Sequence, residues 1–333
     1  MQIKELIEEI ITDVSDVATT TFEFSQTRVV PNRSDSQLTF ERNITKRGKI
    51  LKTCVLYADI RDSVALTEKH HSLTMGKIYT AFTKAVLKAA KYHSGHIRNI
   101  IGDRVMIVFP SENCFTNAVH CAISINHIAR EVIRPKFPGV DFKCGIGIDY
   151  GDLKVIKVGV QRRGHEGTEN RSLVWTGYPA NLASRLTDVA NKNIDETIYE
   201  VKRNPINFAK FSTLYFLPES NIFKNYGGDA SKEPTYLSKI ETIELSPEDF
   251  ANSISMGSDG SLFMTGGKLI SFTKKIRQIS FSEILLSREV FNGYKAANPQ
   301  SNDILADYWK LQKSKIKNVN KPVYGANLIW TIK

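Results

Sequence analysis

Two stretches bring acids to places that otherwise favour apolar residues. In CVLYAD an apolar run ends on Asp59; in RNIIGDRVMIVF, Asp103 lies between Ile100-Ile101 and Val105-Met106, behind Gly102 and ahead of Arg104. β-Branched residues on either side of a Gly-Asp pair predict two strands joined by a tight turn. Alone, Asp103 reads as a solvated hairpin tip; a second carboxylate arriving at the same place would make it a working one. Paired carboxylates at strand ends serve acid–base chemistry or hold hard cations such as Mg²⁺ or Mn²⁺. Acid–base work needs a pocket that separates the two pKa values. Metal-assisted phosphoryl transfer needs only shared oxygens and an open approach for a triphosphate, and Arg61 and Arg104 beside the acids favour that phosphate chemistry. A third stretch, NLASR, sets Asn181 and Arg185 four residues apart, on one helix face.

These residues need elements to bring them together. TCVLYADI reads as a buried strand. A helix over 72–93 follows, with Ile78, Phe82, Val86 and Ala89 on one face and Ser94-Gly95 as its stop. Then come strands at 96–101 and 104–109, a helix over about 111–130, and strands at 142–149 and 152–159 flanking a turn at DYGD. The short strand SLVWTG leads into the helix YPANLASRLTDVAN. The order predicts an α+β fold with a ferredoxin-like βαββαβ core and an extended sheet. In such a core the first strand neighbours the central hairpin, so Asp59 and Asp103 meet at one sheet edge. Residues 3–17 predict an amphipathic helix and 25–47 a polar linker. Residues 193 to about 281 hold no period and read as a large insertion; TGGKLIS within it lacks the spacing of a phosphate loop. The domain reading is an N-terminal helix and linker over 1–47, then one catalytic domain over 48–333 interrupted at about 193–281.

Composition narrows the partners. The 333 residues are 41% hydrophobic and 24% charged, ample for a buried core. The net charge of +10 suits an anionic partner. The basic residues form no long tract, and only Tyr308 and Trp309 stand near the dense KLQKSKIKNVNK, so nucleotide phosphate is preferred to nucleic acid. Cys54, Cys114, Cys121 and Cys144 show no CxxC spacing and read as buried, reduced thiols. With no secretory signal and no apolar run of membrane length, the expectation is a cytoplasmic protein without a membrane partner.

LYADIRDSVAL, RNIIGDRVMIVF and VWTGYPANLASRL, in that order, resemble the class III nucleotidyl cyclases. Within them the likeness is to the uridylate and cytidylate cyclases of bacterial Pycsar antiphage systems. The resemblance runs over about 50–192 and 282–330. It implies that Asp59, Asp103 and the backbone carbonyl of Ile60 hold two Mg²⁺ or Mn²⁺ ions, that Asn181 orients the ribose, that Arg185 stabilises charge on the α-phosphate, and that Lys321 binds the triphosphate. The family often has Gly and Phe where this chain has Asp62 and Ser63. Purine members carry base-reading Lys or Glu and Asp at the places held here by Asn99 and Val174; Tyr57 stands where many have Phe. Tyr57 and Asn99 are therefore the expected base readers, with Arg98 joining them only if a bulge turns it to their side of the sheet. The resemblance further implies a head-to-tail homodimer with two composite sites, conversion of UTP to 3′,5′-cyclic UMP and pyrophosphate, and a separate effector protein that the product activates. Cytidylate cyclase and a degenerate, nucleotide-sensing cyclase domain are the alternatives.

Overall fold

The computed structural model describes residues 2–159, 171–207, 234–258, 262–312 and 316–332. The chain divides into two compact units, 1–192 with 280–333, and 193–279. The loop read at RRGHEGTEN, and all of YGGDASKEP but its last residue, lie outside the described residues.

The first unit opens with helix α1 (Ile3–Thr19) and strand β1 (Phe22–Thr27), then β2 (Lys46–Ile60), α2 (Ser63–Lys69), α3 (Ser72–Tyr92), β3 (His96–Ile101), β4 (Arg104–Val108), α4 (Cys114–His127), β5 (Cys144–Gly159), β6 (Arg171–Thr176) and α5 (Tyr178–Val189). The chain leaves through the second unit: β7 (Asn193–Pro205), β8 (Glu241–Leu245), α6 (Pro247–Ser253), β9 (Ile254–Met256), β10 (Leu262–Met264) and β11 (Gly267–Ser280), which form a five-stranded sheet ordered β8-β7-β11-β10-β9. The first unit then resumes with β12 (Ile284–Ser287), α7 (Arg288–Ala297), α8 (Asn302–Leu305), β13 (Lys310–Leu311) and β14 (Val323–Ala326).

Strands β5-β2-β4-β3 stand side by side and antiparallel, the order of a βαββαβ core; β12, β14 and β13 extend the sheet past β5. The predicted α+β, ferredoxin-like core is the observed one. Strand alternation divides β2 between two faces. Cys54, Leu56, Ala58 and Ile60 enter the main core with Ile78, Phe82 and Val86 of α3, Val119 and Ala122 of α4, and Val290 of α7. Leu51 and Val55 face the other way and pack with Met106, Val108, Leu153, Ala180 and Ala183 under α5; Tyr57 and Trp175 flank that cluster. Each large side chain withdrawn from water here contributes about 1.5–3 kcal/mol. All four cysteines are buried and unpaired.

Two sequence expectations are corrected. DYGD is no turn: β5 runs unbroken through it, paired with β2 from Ile60↔Cys144 to Lys49↔Val155. Two glycines of β5 that precede DYGD serve close packing. A Cβ on Gly147 would lie 2.4 Å from Ala183 O, and one on Gly145 2.5 Å from Ala190 O, so α5 rests directly on the strand backbone. The polar linker is partly structured: β1 pairs parallel to β2, from Phe22↔Lys46 to Thr27↔Leu51. Helix α1 buries no residue and is tied down by its acids, Asp16 to Lys46 at 2.6 Å and Asp13 to Arg42. No described helix is long and apolar enough to cross a membrane.

Candidate active site

Asp59 and Asp103 come together because β2 and the β3–β4 hairpin are neighbours. Pairing of Ile101 with Arg104 closes a two-residue turn in which Gly102 takes φ +61°, the left-handed conformation its first position needs. Burial, and then the charge of Asp59, push the Asp103 carboxyl above its ordinary range; the Ser63 hydroxyl pulls the other way. The Oδ2 of Asp103 is buried and, among the described residues, has no hydrogen-bond partner. Among the described residues no cluster of three or more metal-ligating side chains forms, but a buried carboxylate oxygen without a donor, close to a second carboxylate, could serve a hard cation. Asp62 adopts φ +54°, a conformation glycine takes freely and aspartate tolerates, so the loop leaving Asp59 has a backbone suited to the glycine expected there.

Asp59 is already engaged. Its Oδ2 accepts from Arg104 Nη2 at 2.7 Å and from Arg61 Nη2 at 3.3 Å. Arg104 also donates to Ser184 Oγ at 2.9 Å and to Asp188 Oδ1 at 2.6 Å, both on α5. Arg61 is 2% exposed, and burial lowers its pKa. Sequence reading noted both arginines as charge near the acids and missed their partners: Ser184 and Asp188 lie 80 or more positions further along the chain.

Helix α5 presents its expected functional pair outward. Asn181 and Arg185 are exposed, and Arg185 Nη1 donates to Asn318 O at 2.8 Å. Among the described residues no hydrogen bond or ion pair joins Asn181 or Arg185 to Asp59 or Asp103. Lys321 pairs with Glu289 at 2.7 Å and lies 5.0 Å above the Tyr178 ring, at the start of α5. Below it Asp149, fully buried, is pushed up to about 6 by burial; its oxygens lack well-formed hydrogen bonds, although the Ser287 hydroxyl and Tyr150 amide are near enough to oppose that shift.

The residues expected to read the base occupy the face that α5 covers. Tyr57 is half-buried, its hydroxyl pushed up by burial, and its carbonyl accepts from Thr187 Oγ1 at 3.2 Å. Asn99 is exposed opposite Met106. The β3–β4 register shifts between Ile97 and Asn99. Ile97 packs on the main core, and the intervening Arg98 turns to the other face, its guanidinium 5.5 Å over the Trp175 ring. A cleft of about 520 Å³ opens there, lined by Asn32, Arg33, Ser34, Arg98 and Trp175 among others. The bulge on which Arg98 depended is present; Trp175 and the Asn32–Ser34 segment were missed.

No family model matches the chain. A uridylate cyclase from Burkholderia cepacia is 30% identical over 204 residues, 59% of this chain and 84% of that protein. A cytidylate cyclase from Staphylococcus aureus is 26% identical over 219 residues, 61% of this chain and 48% of that protein. Among solved structures, the adenylyl cyclase CyaB from P. aeruginosa has 14% identity and a TM-score of 0.44, over 83% of this chain and 93% of that one. With one acid on β2 and the other in the neighbouring β3–β4 turn of a βαββαβ core, and with its kinship to a uridylate cyclase, the chain belongs to the Pycsar-like class III nucleotidyl cyclases and is a nucleotide cyclase.

Proposed function

We propose that this enzyme converts UTP to 3′,5′-cyclic UMP and pyrophosphate at sites completed by two copies of the chain. The observation that carries the choice of UTP is the bulge that turns Arg98 onto the face of Tyr57 and Trp175. Guanidinium donors there complement the carbonyl-rich edge of uracil, and would leave the amino group of cytosine facing donors. The uridylate cyclase relative supports the same choice.

Asp59, Asp103 and the carbonyl of Ile60 would hold two Mg²⁺ or Mn²⁺ ions, and the orphaned Oδ2 of Asp103 fits that role. Bound there, such ions activate the ribose 3′-hydroxyl and screen the triphosphate. The chain's own residues do the rest. Asn181 orients the ribose so that O3′ approaches the α-phosphate in line. Arg185 binds the α-phosphate oxygens as the O3′–P bond forms and the P–O bond to pyrophosphate breaks, because a guanidinium stays charged and matches the forked geometry. Lys321, released from Glu289, holds the departing phosphates. Among the described residues no hydrogen bond or ion pair joins Asn181 or Arg185 to the acids of their own chain, and in this reading a head-to-tail homodimer supplies them from the other copy. We read 48–333 as one catalytic domain carrying the 193–281 insertion, and 1–47 as a helix and linker. In the cell the product would activate a separate effector protein in antiphage defence, in the cytoplasm.

Cytidylate cyclase is the second reading, because the Asn99 amide can both donate and accept and so pair with either pyrimidine. Incubation with each of the four nucleoside triphosphates and Mn²⁺, with chromatography of the products, decides. Cyclic UMP is expected; faster formation of cyclic CMP selects the second reading. A dinucleotide, a polymer or no product overturns cyclase action on pyrimidines.

A further inference from the structure

Asp59 has a cation before any metal arrives. The shorter contact, at 2.7 Å, comes from Arg104; Arg61 stands at 3.3 Å, buried against Gly145 with its Nη1 on the carbonyl of Asp188. Arg104 differs from Arg61 in having a second place to go. Its Nη2 also reaches Asp188 Oδ1 at 2.6 Å, its Nη1 reaches Ser184 Oγ at 2.9 Å, and its side chain is 26% exposed. Asp188 is more open, at 53% side-chain exposure, so it can follow the guanidinium without rearrangement of the core.

We propose that Arg104 is a built-in counter-ion: it neutralises Asp59 in the metal-free protein, competes with divalent metal for that carboxylate, and is received by Asp188 and Ser184 when metal binds. The proposal rests on the reading of Asp59 and Asp103 as the metal acids. Its logic is electrostatic. Without metal, two adjacent carboxylates repel, and a guanidinium on one of them relieves the hairpin tip of that strain. A divalent ion on the same oxygen meets a positive charge a few ångströms away, which weakens its binding unless the guanidinium withdraws. The α5 carboxylate makes withdrawal cheap, because Arg104 loses one acidic partner and keeps the other. Arg104 is thus a positioning residue, and one that sets how much metal the site requires.

The opposite signs expected of two variants test this. Binding of Mn²⁺ alone, followed by the loss of its free electron-paramagnetic-resonance signal, should tighten about tenfold in Arg104→Gln and weaken about tenfold in Asp188→Asn, which strands the guanidinium on Asp59. The double variant should bind like Arg104→Gln, since Asp188 acts only through the arginine. Thermal melting of the metal-free proteins checks that each variant is folded. If Arg104→Gln binds Mn²⁺ as weakly as wild type or more weakly, or if Asp188→Asn binds no more weakly than wild type, the counter-ion role is wrong. Asp59→Asn separates the two levels of the account. Loss of Mn²⁺ binding in it, with no change in Arg104→Gln, overturns the counter-ion alone, whereas unchanged binding in Asp59→Asn overturns the metal reading beneath it.

Discussion

Helix α5 treats two sets of its side chains differently. One set is locked in: Ala183 and Thr187 press on the bare backbone of Gly147, and Ser184 and Asp188 are held by Arg104, which in turn holds Asp59. Asn181 and Arg185, beside Asp188 on the exposed side, reach solvent, with Arg185 resting on one carbonyl. The locked set has its charges answered within the chain. The exposed pair is a cation and an amide, which in the proposed reading meet phosphate and ribose. The difference fits the proposed reading, in which each chain contributes two half-sites: an acid half whose Asp59 is already met by Arg104 and Arg61, and a guanidinium half that acts with the other copy.

Breaking the acid half should have the largest effect. Asp59→Asn or Asp103→Asn is expected to reduce turnover about a thousandfold or more, measured as cyclic nucleotide formed per enzyme. Asp103→Asn should melt at or above the wild-type temperature, because it removes a charge beside Asp59. Near-normal rates in Asp103→Asn would take that residue out of the mechanism. Arg185→Ala, in the exposed pair, should lower kcat about a hundredfold and leave KM for UTP nearly unchanged, since its charge is used as the phosphate develops charge. A rise in KM alone would make it a binding residue only.

Beneath Lys321, Asp149 sharpens the contrast, because its charge has no well-formed hydrogen bond among the described residues. Its carboxyl titrates at about 6 when folded, against 3.8 unfolded, so the folded state binds this proton more tightly. The resulting penalty is absent below about pH 4, grows as pH rises, and is complete above about pH 6. Asp149→Asn should therefore stabilise the protein by up to about 3 kcal/mol at pH 7.5 and by little at pH 4, read from urea unfolding at the two pH values. Equal effects at both would show that the burial cost is not electrostatic. The smallest effect is expected at the base. Arg98→Ala should shift the ratio of UTP to CTP conversion about tenfold toward CTP, measured side by side.

Much of this was legible in sequence. The apolar run of CVLYAD and the Gly-Asp turn of RNIIGDRV placed two acids at one edge, because short apolar runs and turn residues are local signals. The same local logic misread DYGD: Asp and Gly are turn residues by habit, but here Asp149 to Asp152 stay in strand because they pair with Val55 to Lys52 of β2, about 100 positions earlier. The Arg104 network stayed hidden for the same reason. Nothing near Arg104 in sequence announces Ser184 or Asp188, and only the fold brings them within 2.9 Å. Arg98 was intermediate: alternation pointed it to the wrong face, and a single bulge reversed that.

The two-half-site account is tested most directly by mixing. Asp59→Asn and Arg185→Ala chains, each inactive alone, are co-refolded or co-expressed in equal amounts, and cyclic UMP formation is measured once mixed dimers are confirmed by differential tags. If each site takes its acids from one chain and its guanidinium from the other, a mixed dimer contains one site with both defects and one fully wild-type site. Activity should then return to about a quarter of wild type, because half of randomly formed dimers are mixed and each has one of two sites intact. Mixed dimers with no more activity than their parents would contradict the account.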